Sequence, residues 1–196
     1  MDRRTAIAGL MALVAAPAGA KLAPPDTEVK ASPIRWPSDD GTMLHGFMAI
    51  PVHASGKQPS VLVLAPRSGA AKSDLELTAA VAQAGLIACA PDPAMIVAAM
   101  GESPRAFDDL TATIGWLGRN AYATGRVGLL GTAGTERVIG QLSTRPGVAA
   151  TVLLGAPPAL TDQGTPPPIL ALPAADSAAW AAAWPRAMAY LKEHLQ

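Results

Sequence analysis

Five short runs of almost unbroken apolar residues, at 61–64, 86–90, 127–130, 148–154 and 169–172, limit what this chain can fold into. A strand with one face in water must alternate apolar and polar side chains. A strand that is apolar at every position needs cover on both faces. Helical signals fall between the runs. Ser73-Asp74-Leu75-Glu76 is a capping box, Gly85 is a stop, and Ser103-Pro104 is a start with proline in the first turn. Phe107, Leu110, Ile114 and Leu117 recur at helical spacing, and a further helix is expected over 136–143. Strands that alternate with helices imply a parallel sheet joined by right-handed crossovers. Ahead of this pattern, extended segments at 29–36 and 42–50 flank Ser38-Asp39-Asp40-Gly41, a hairpin signal. A terminal helix is expected from Asp176 or Ser177 to Leu195, with Pro185 kinking it or dividing it in two.

The first twenty residues read as an export signal to be left out of the fold. Met1-Asp2-Arg3-Arg4 is a charged start, 6–16 is apolar, and Ala18-Gly19-Ala20 is a small-residue cleavage site. The apolar stretch falls short of the ~20 residues a membrane span needs. Arg3-Arg4 is similar to a twin-arginine signal; the general secretion route is the alternative. Periplasmic or extracellular destination follows from either. Residues 21–28 form a Pro-rich linker, and 29–196 a single domain. Setting aside the signal with Asp2, Arg3 and Arg4 leaves 13 basic and 14 acidic residues, a balance that points away from nucleic acid as a partner. Only 4% of residues are aromatic against 50% apolar, so Ala, Val and Leu must build the core. Cys89 stands alone within an apolar run and reads as a buried structural thiol.

The run at 127–130 leads into Gly131-Thr132-Ala133-Gly134-Thr135 and then a helix. Strand, Gly-rich turn and helix together make the setting of a nucleophile elbow, where G-x-S-x-G presents its central residue on a strained turn. Here the central residue is Ala133, which can attack nothing. The glycines do not fit the G-x-G-x-x-G dinucleotide pattern, and the three histidines and single cysteine lack metal-ligand spacing. Neither cofactor nor metal is therefore expected.

The order of Asp40-Gly41, Val61-Leu62-Val63-Leu64 with Gly69 beyond, Ala84 to Asp92, Gly125 to Gly131 and the segment Ala183 to Leu195 resembles the dienelactone hydrolase family of α/β-hydrolases. The resemblance implies a mostly parallel sheet with helices on both faces behind an antiparallel hairpin. It also implies a Cys- or Ser-His-Asp triad, with a glutamate in the loop after the third strand. In this chain the nucleophile position is Ala133 and the glutamate position is Pro66. Asp176 matches the acid, though it serves equally as a helix N-cap. The histidine belongs on a loop after an eighth strand, yet 173–176 lead straight into the terminal helix, so the last edge strand and its loop are expected to be missing. The resemblance further places an oxyanion hole at the backbone N–H groups of Gly134 and Arg67, aimed at a ligand oxygen and aided by the following helix N-terminus.

Other nucleophiles and bases are weaker. Thr132 sits one position off the apex, and Ser68 lies in the third-strand loop. His45, His53 and His194 do not fall at the turn by topology, and Thr135 replaces the small residue expected two positions after the nucleophile. The expectation is a hydrolase-fold protein that has lost triad chemistry and persists as a binding or scaffold protein. Its ligand would be a small carboxylate, ester or lactone. An ester or lactone hydrolase using Ser68 or Thr132 is the alternative. A truncated sheet would expose 169–172 as an edge for a second copy.

Overall fold

The structure, a computed structural model, describes residues 28–52, 56–66, 74–155, 169–174 and 176–196. It opens with the hairpin of β1 (Val29–Pro37) and β2 (Met43–Pro51), paired antiparallel. Gly41 takes a positive φ of 84° at the turn, and Asp40 Oδ1 accepts both the Ser38 hydroxyl and the Thr42 N–H. These bonds, with Arg105 behind them, hold the Asp40 carboxyl well below the usual carboxylate range.

The chain continues through β3 (Gln58–Leu64), α1 (Asp74–Gln83), β4 (Ile87–Pro91), α2 (Pro93–Met100), α3 (Pro104–Arg119), β5 (Ala123–Thr132), α4 (Glu136–Ser143), β6 (Val148–Leu154), β7 (Ile169–Leu172) and α5 (Ser177–Leu195). The strands form a seven-stranded sheet in the order β1-β2-β4-β3-β5-β6-β7. β2 meets β4 antiparallel, and every later pairing is parallel. Val61 to Leu64 are wholly buried, the consequence of cover on both faces. Val61, Val63, Leu130 and Val152 face α1 and α5; Leu62, Leu64, Leu129 and Leu153 face α2, α3 and α4.

Three features differ from the sequence expectation or were not foreseen by it. The helix α2 was not anticipated. Its Asp92-Pro93 start repeats the Ser103-Pro104 signature of α3, and Asp92 accepts the Ala94 N–H at 2.8 Å. Eight residues that are all apolar or proline leave no amphipathic period to read. The strands β3 and β5 begin three and four residues earlier than their apolar runs, because pairing extends past the fully covered part. Pro185 does not divide the last helix, which runs unbroken from Ser177 to Leu195. Pro185 is exposed, so the carbonyl that lacks a donor one turn earlier lies toward water.

Trp36 anchors the hairpin to the rest. It is fully buried, its Nε1–H donates to Thr113 Oγ1 at 3.0 Å, and its ring stacks on Trp116 at 5.2 Å. Gly46 makes the room, since a Cβ there would stand 2.4 Å from the Ala90 carbonyl oxygen and 2.7 Å from the Trp36 ring. No described helix is long and apolar enough to cross a membrane.

Candidate functional site

From β3 the chain turns to β4 on one side, then crosses back to β5 on the other. In an open parallel sheet such a reversal leaves a crevice at the C-terminal ends of the two strands. The end of β5 is the 132–135 turn, so topology puts Ala133 at the sheet's natural binding position.

The turn closes with the Thr135 N–H donating to the Thr132 carbonyl at 3.0 Å, and the Thr135 hydroxyl donates to the same oxygen at 2.7 Å. Gly134 carries the positive φ, 92°. Among the described non-glycine residues only Glu102 has a positive φ, so Ala133 does not. Glycine in third place with an ordinary second residue defines a type II turn. The strain expected at the central residue is therefore absent, and the left-handed conformation sits on the residue that tolerates it. Thr135 is fully buried at this corner. Gly131 admits it, for a Cβ at 131 would meet Thr135 Oγ1 at 2.5 Å and Ile139 Cγ1 at 2.7 Å. On the other side Gly155, with φ 84°, approaches Ala133: a Cβ there would lie 3.3 Å from that of Ala133.

The Gly134 N–H is not aimed at open space. It donates to Glu136 Oε1 at 3.0 Å, so the oxyanion donor expected at this position is taken by the chain's own carboxylate. Next to Glu136, Arg137 binds the Glu102 carboxylate and donates to the Met100 carbonyl at 2.8 Å. That pairing ties the α2–α3 connection to the start of α4 and restrains Glu102 at its φ of 66°. Sequence reasoning missed Glu136, although Gly134-Thr135-Glu136 could have suggested it: a carboxylate in the first turn of a helix seeks backbone N–H groups.

The other candidates are dispersed. Arg67, Ser68 and His53 lie outside the described residues. Thr132 is buried, only 7% exposed, as the last residue of β5. Pro66 is buried at the end of the β3 segment. Asp176 caps α5, its carboxylate accepting the Ala179 N–H at 2.8 Å. His45 pairs at the level of Asp92, whose N–H donates to its carbonyl. Register thus puts His45 level with the end of β5, but β4 and β3 intervene, a separation of roughly 14 Å at ~4.8 Å per strand. His194 packs edge-on to Tyr190 at the far end of α5. Its neighbour Leu195 would touch a Cβ on Gly128, about 17 Å down β5 from Ala133. Neither histidine reaches the turn. Cys89 lies inside β4, and burial pushes its thiol up to about 12, far from a nucleophile's range.

No family model matches this chain, and no curated protein matches it in sequence. Solved structures do match in shape. A structure from Klebsiella pneumoniae assigned as a dienelactone hydrolase aligns with 22% identity and a TM-score of 0.52 over 65% of this chain and 60% of its own. A dienelactone-hydrolase-like promiscuous phosphotriesterase from metagenomic libraries aligns with 14% identity and a TM-score of 0.64, over 86% of this chain and 99% of its own. The bacterial brefeldin A esterase, a homologue of human hormone-sensitive lipase, gives 14% and 0.54, over 78% of this chain and 46% of its own. The chain thus spans less than two thirds of the first and third of these proteins. Its fold is that of the α/β-hydrolases, in the form seen in dienelactone hydrolase and dienelactone-hydrolase-like proteins.

Proposed function

We propose that this chain is an exported α/β-hydrolase-fold protein of the dienelactone hydrolase lineage that works by binding rather than by triad catalysis. The observation that carries the reading is the turn at the end of β5. Ala133 stands where a nucleophile would, the turn is relaxed, and the following N–H is occupied by Glu136. A nucleophile also needs a base within hydrogen-bond reach, and His45 and His194 are both far from position 133. The binding position itself survives at the sheet's reversal point, which suits a small ester- or lactone-like molecule or a partner segment. Export rests on Arg3-Arg4 and the Ala18-Gly19-Ala20 cleavage pattern. A second copy across the terminal strand β7 is the partner we propose.

Fluorophosphonate labelling with peptide mapping tests the reading. The expected result is no stoichiometric adduct on any residue. An adduct on Ser68 or Thr132, together with turnover of a p-nitrophenyl ester, would establish the alternative, an ester or lactone hydrolase with a rearranged site. For export, the secreted or periplasmic protein should begin at Lys21 by intact mass; retention of Met1 in the cytoplasmic fraction alone would refute it.

A further inference from the structure

We infer that the cleft between α3 and α4 binds a zwitterion of the amino-acid or short-peptide kind, with Asp108 taking its ammonium group and Arg145 its carboxylate. The inference does not draw on the function proposed for the β5 turn, since neither Ala133 nor Gly134 lines this cleft.

The two helices lie on one face of the sheet and run in the same direction, because each returns the chain between parallel strands. The cavity between them measures about 410 Å³, within the range of about 300–1,000 Å³ usual for small-molecule sites. At one end an ion pair joins its walls: Arg137, in the first turn of α4, binds Glu102, just ahead of α3. About two helical turns further along, Asp108 stands on the α3 side and Arg145 just past the end of α4. These two carry opposite charges on the same cavity, yet they do not pair. Among the described residues neither side chain makes an ion pair or a hydrogen bond.

The neighbouring arginines cannot serve Asp108. Arg105 is engaged by Asp40 and Asp109, and Arg137 by Glu102 and the Met100 carbonyl. Both open charges stand on fixed backbone, Asp108 in the second turn of α3 and Arg145 with its N–H donating to the Leu142 carbonyl at 3.0 Å. Phe107 and Pro104 add apolar surface to the lining, and Gln141 an amide that can donate or accept. A ligand with a single charge would serve one of the two side chains and leave the other unpaired. A zwitterion serves both at once, and the planar guanidinium suits a two-pronged bond to its carboxylate. Its carbon skeleton is left for Phe107 and Pro104, so an aliphatic body fits the cleft.

L-Leucine carries both charges on such a body. Isopentylamine is leucine without the carboxylate, and 4-methylpentanoate is leucine without the ammonium group. Each is titrated into the full chain while the amides of Asp108 and Arg145 are followed by NMR, with leucylleucine as the peptide form of the same chemistry. A hydrogen bond to a charged group is worth roughly tenfold or more in affinity. Leucine or leucylleucine is therefore expected to bind at least tenfold more tightly than either single-charge analogue, and the better of the two names the source. Arg145→Gln is expected to weaken the zwitterion at least tenfold and leave isopentylamine unchanged. Asp108→Asn is expected to weaken it as much and leave 4-methylpentanoate unchanged. Both side chains are exposed and unbonded, so neither substitution should disturb the fold. Absence of any shift with leucine and leucylleucine at millimolar concentration would overturn the site. Zwitterion binding that survives both substitutions, or that a single-charge analogue equals, would overturn it too.

Discussion

At position 133 the side chain and the backbone point the same way. A serine or cysteine there would gain an attacking atom, but it would stand on a type II turn with Glu136 on the adjacent donor. General-base assistance is worth roughly 10²–10⁴-fold in rate, and His45 is roughly 14 Å away by strand spacing. Ala133→Ser and Ala133→Cys are therefore expected to hydrolyse a p-nitrophenyl ester or a small enol-lactone within about tenfold of the wild-type rate. Rapid saturable turnover by Ala133→Ser in a steady-state assay would show that a base is present. The alanine at the apex of the turn was legible in the sequence as one letter. The turn type was not, because Gly131, Gly134 and the residues between them permit more than one turn, and the choice depends on where Thr135 packs. Cys89 gives a second test at this scale. In the unfolded chain its thiol ionises at its ordinary value of 9.0, and burial in the fold pushes it up to about 12. Above pH 9 the unfolded state sheds a proton that the fold retains, so stability should fall as pH rises from 9 toward 12, by about 1.4 kcal/mol per unit. Urea unfolding of wild type and Cys89→Ala across this range isolates the contribution: the wild type should lose stability faster than the variant.

Elements were legible where amphipathic period or cap chemistry marked them. The strands β6 and β7 and the helix α4 occupy the segments expected from the sequence, and Ser103-Pro104 opens α3. The helix α2 escaped because a short, wholly apolar segment reads alike as strand, loop or buried helix. The hairpin was visible in Asp40-Gly41, but its attachment to α3 was not, since Trp36 and Thr113 are far apart in sequence. Gly46 is the position that makes this attachment possible. Gly46→Ala would press a methyl into a backbone carbonyl and the Trp36 ring, so a loss of about 3 kcal/mol or more is expected by urea denaturation, the upper range for overpacking. In α5 the argument runs the other way. Pro185 deprives an exposed turn of one hydrogen bond, and proline in a helix interior costs about 3 kcal/mol relative to alanine. Pro185→Ala is expected to stabilise the protein by about 1–3 kcal/mol in the same measurement.

Across the whole molecule the two edges of the sheet are unlike. β1 carries Pro33 and Pro37, which cannot donate to a neighbour, and Lys30 and Arg35, whose charges resist stacking of another strand. β7 has none of these devices. Its four residues, Ile169 to Leu172, are apolar, and Ile169, Leu170 and Ala171 are only partly buried. Among the described residues α5 begins at Ser177 and no strand pairs beyond β7. The expectation that the last edge strand is missing is matched among the described residues, where β7 ends the sheet. An unpaired apolar edge is a template for another strand, and a second copy offers the same edge across a twofold axis. Sedimentation velocity over a wide concentration range is expected to show a monomer passing to a dimer, with hydrogen-exchange protection rising at the β7 amides as the dimer forms. A single monomeric species at high concentration, with β7 amides exchanging at an unchanged rate, would refute pairing through this edge. Protection that rises elsewhere while β7 stays unchanged would assign the dimer to another surface.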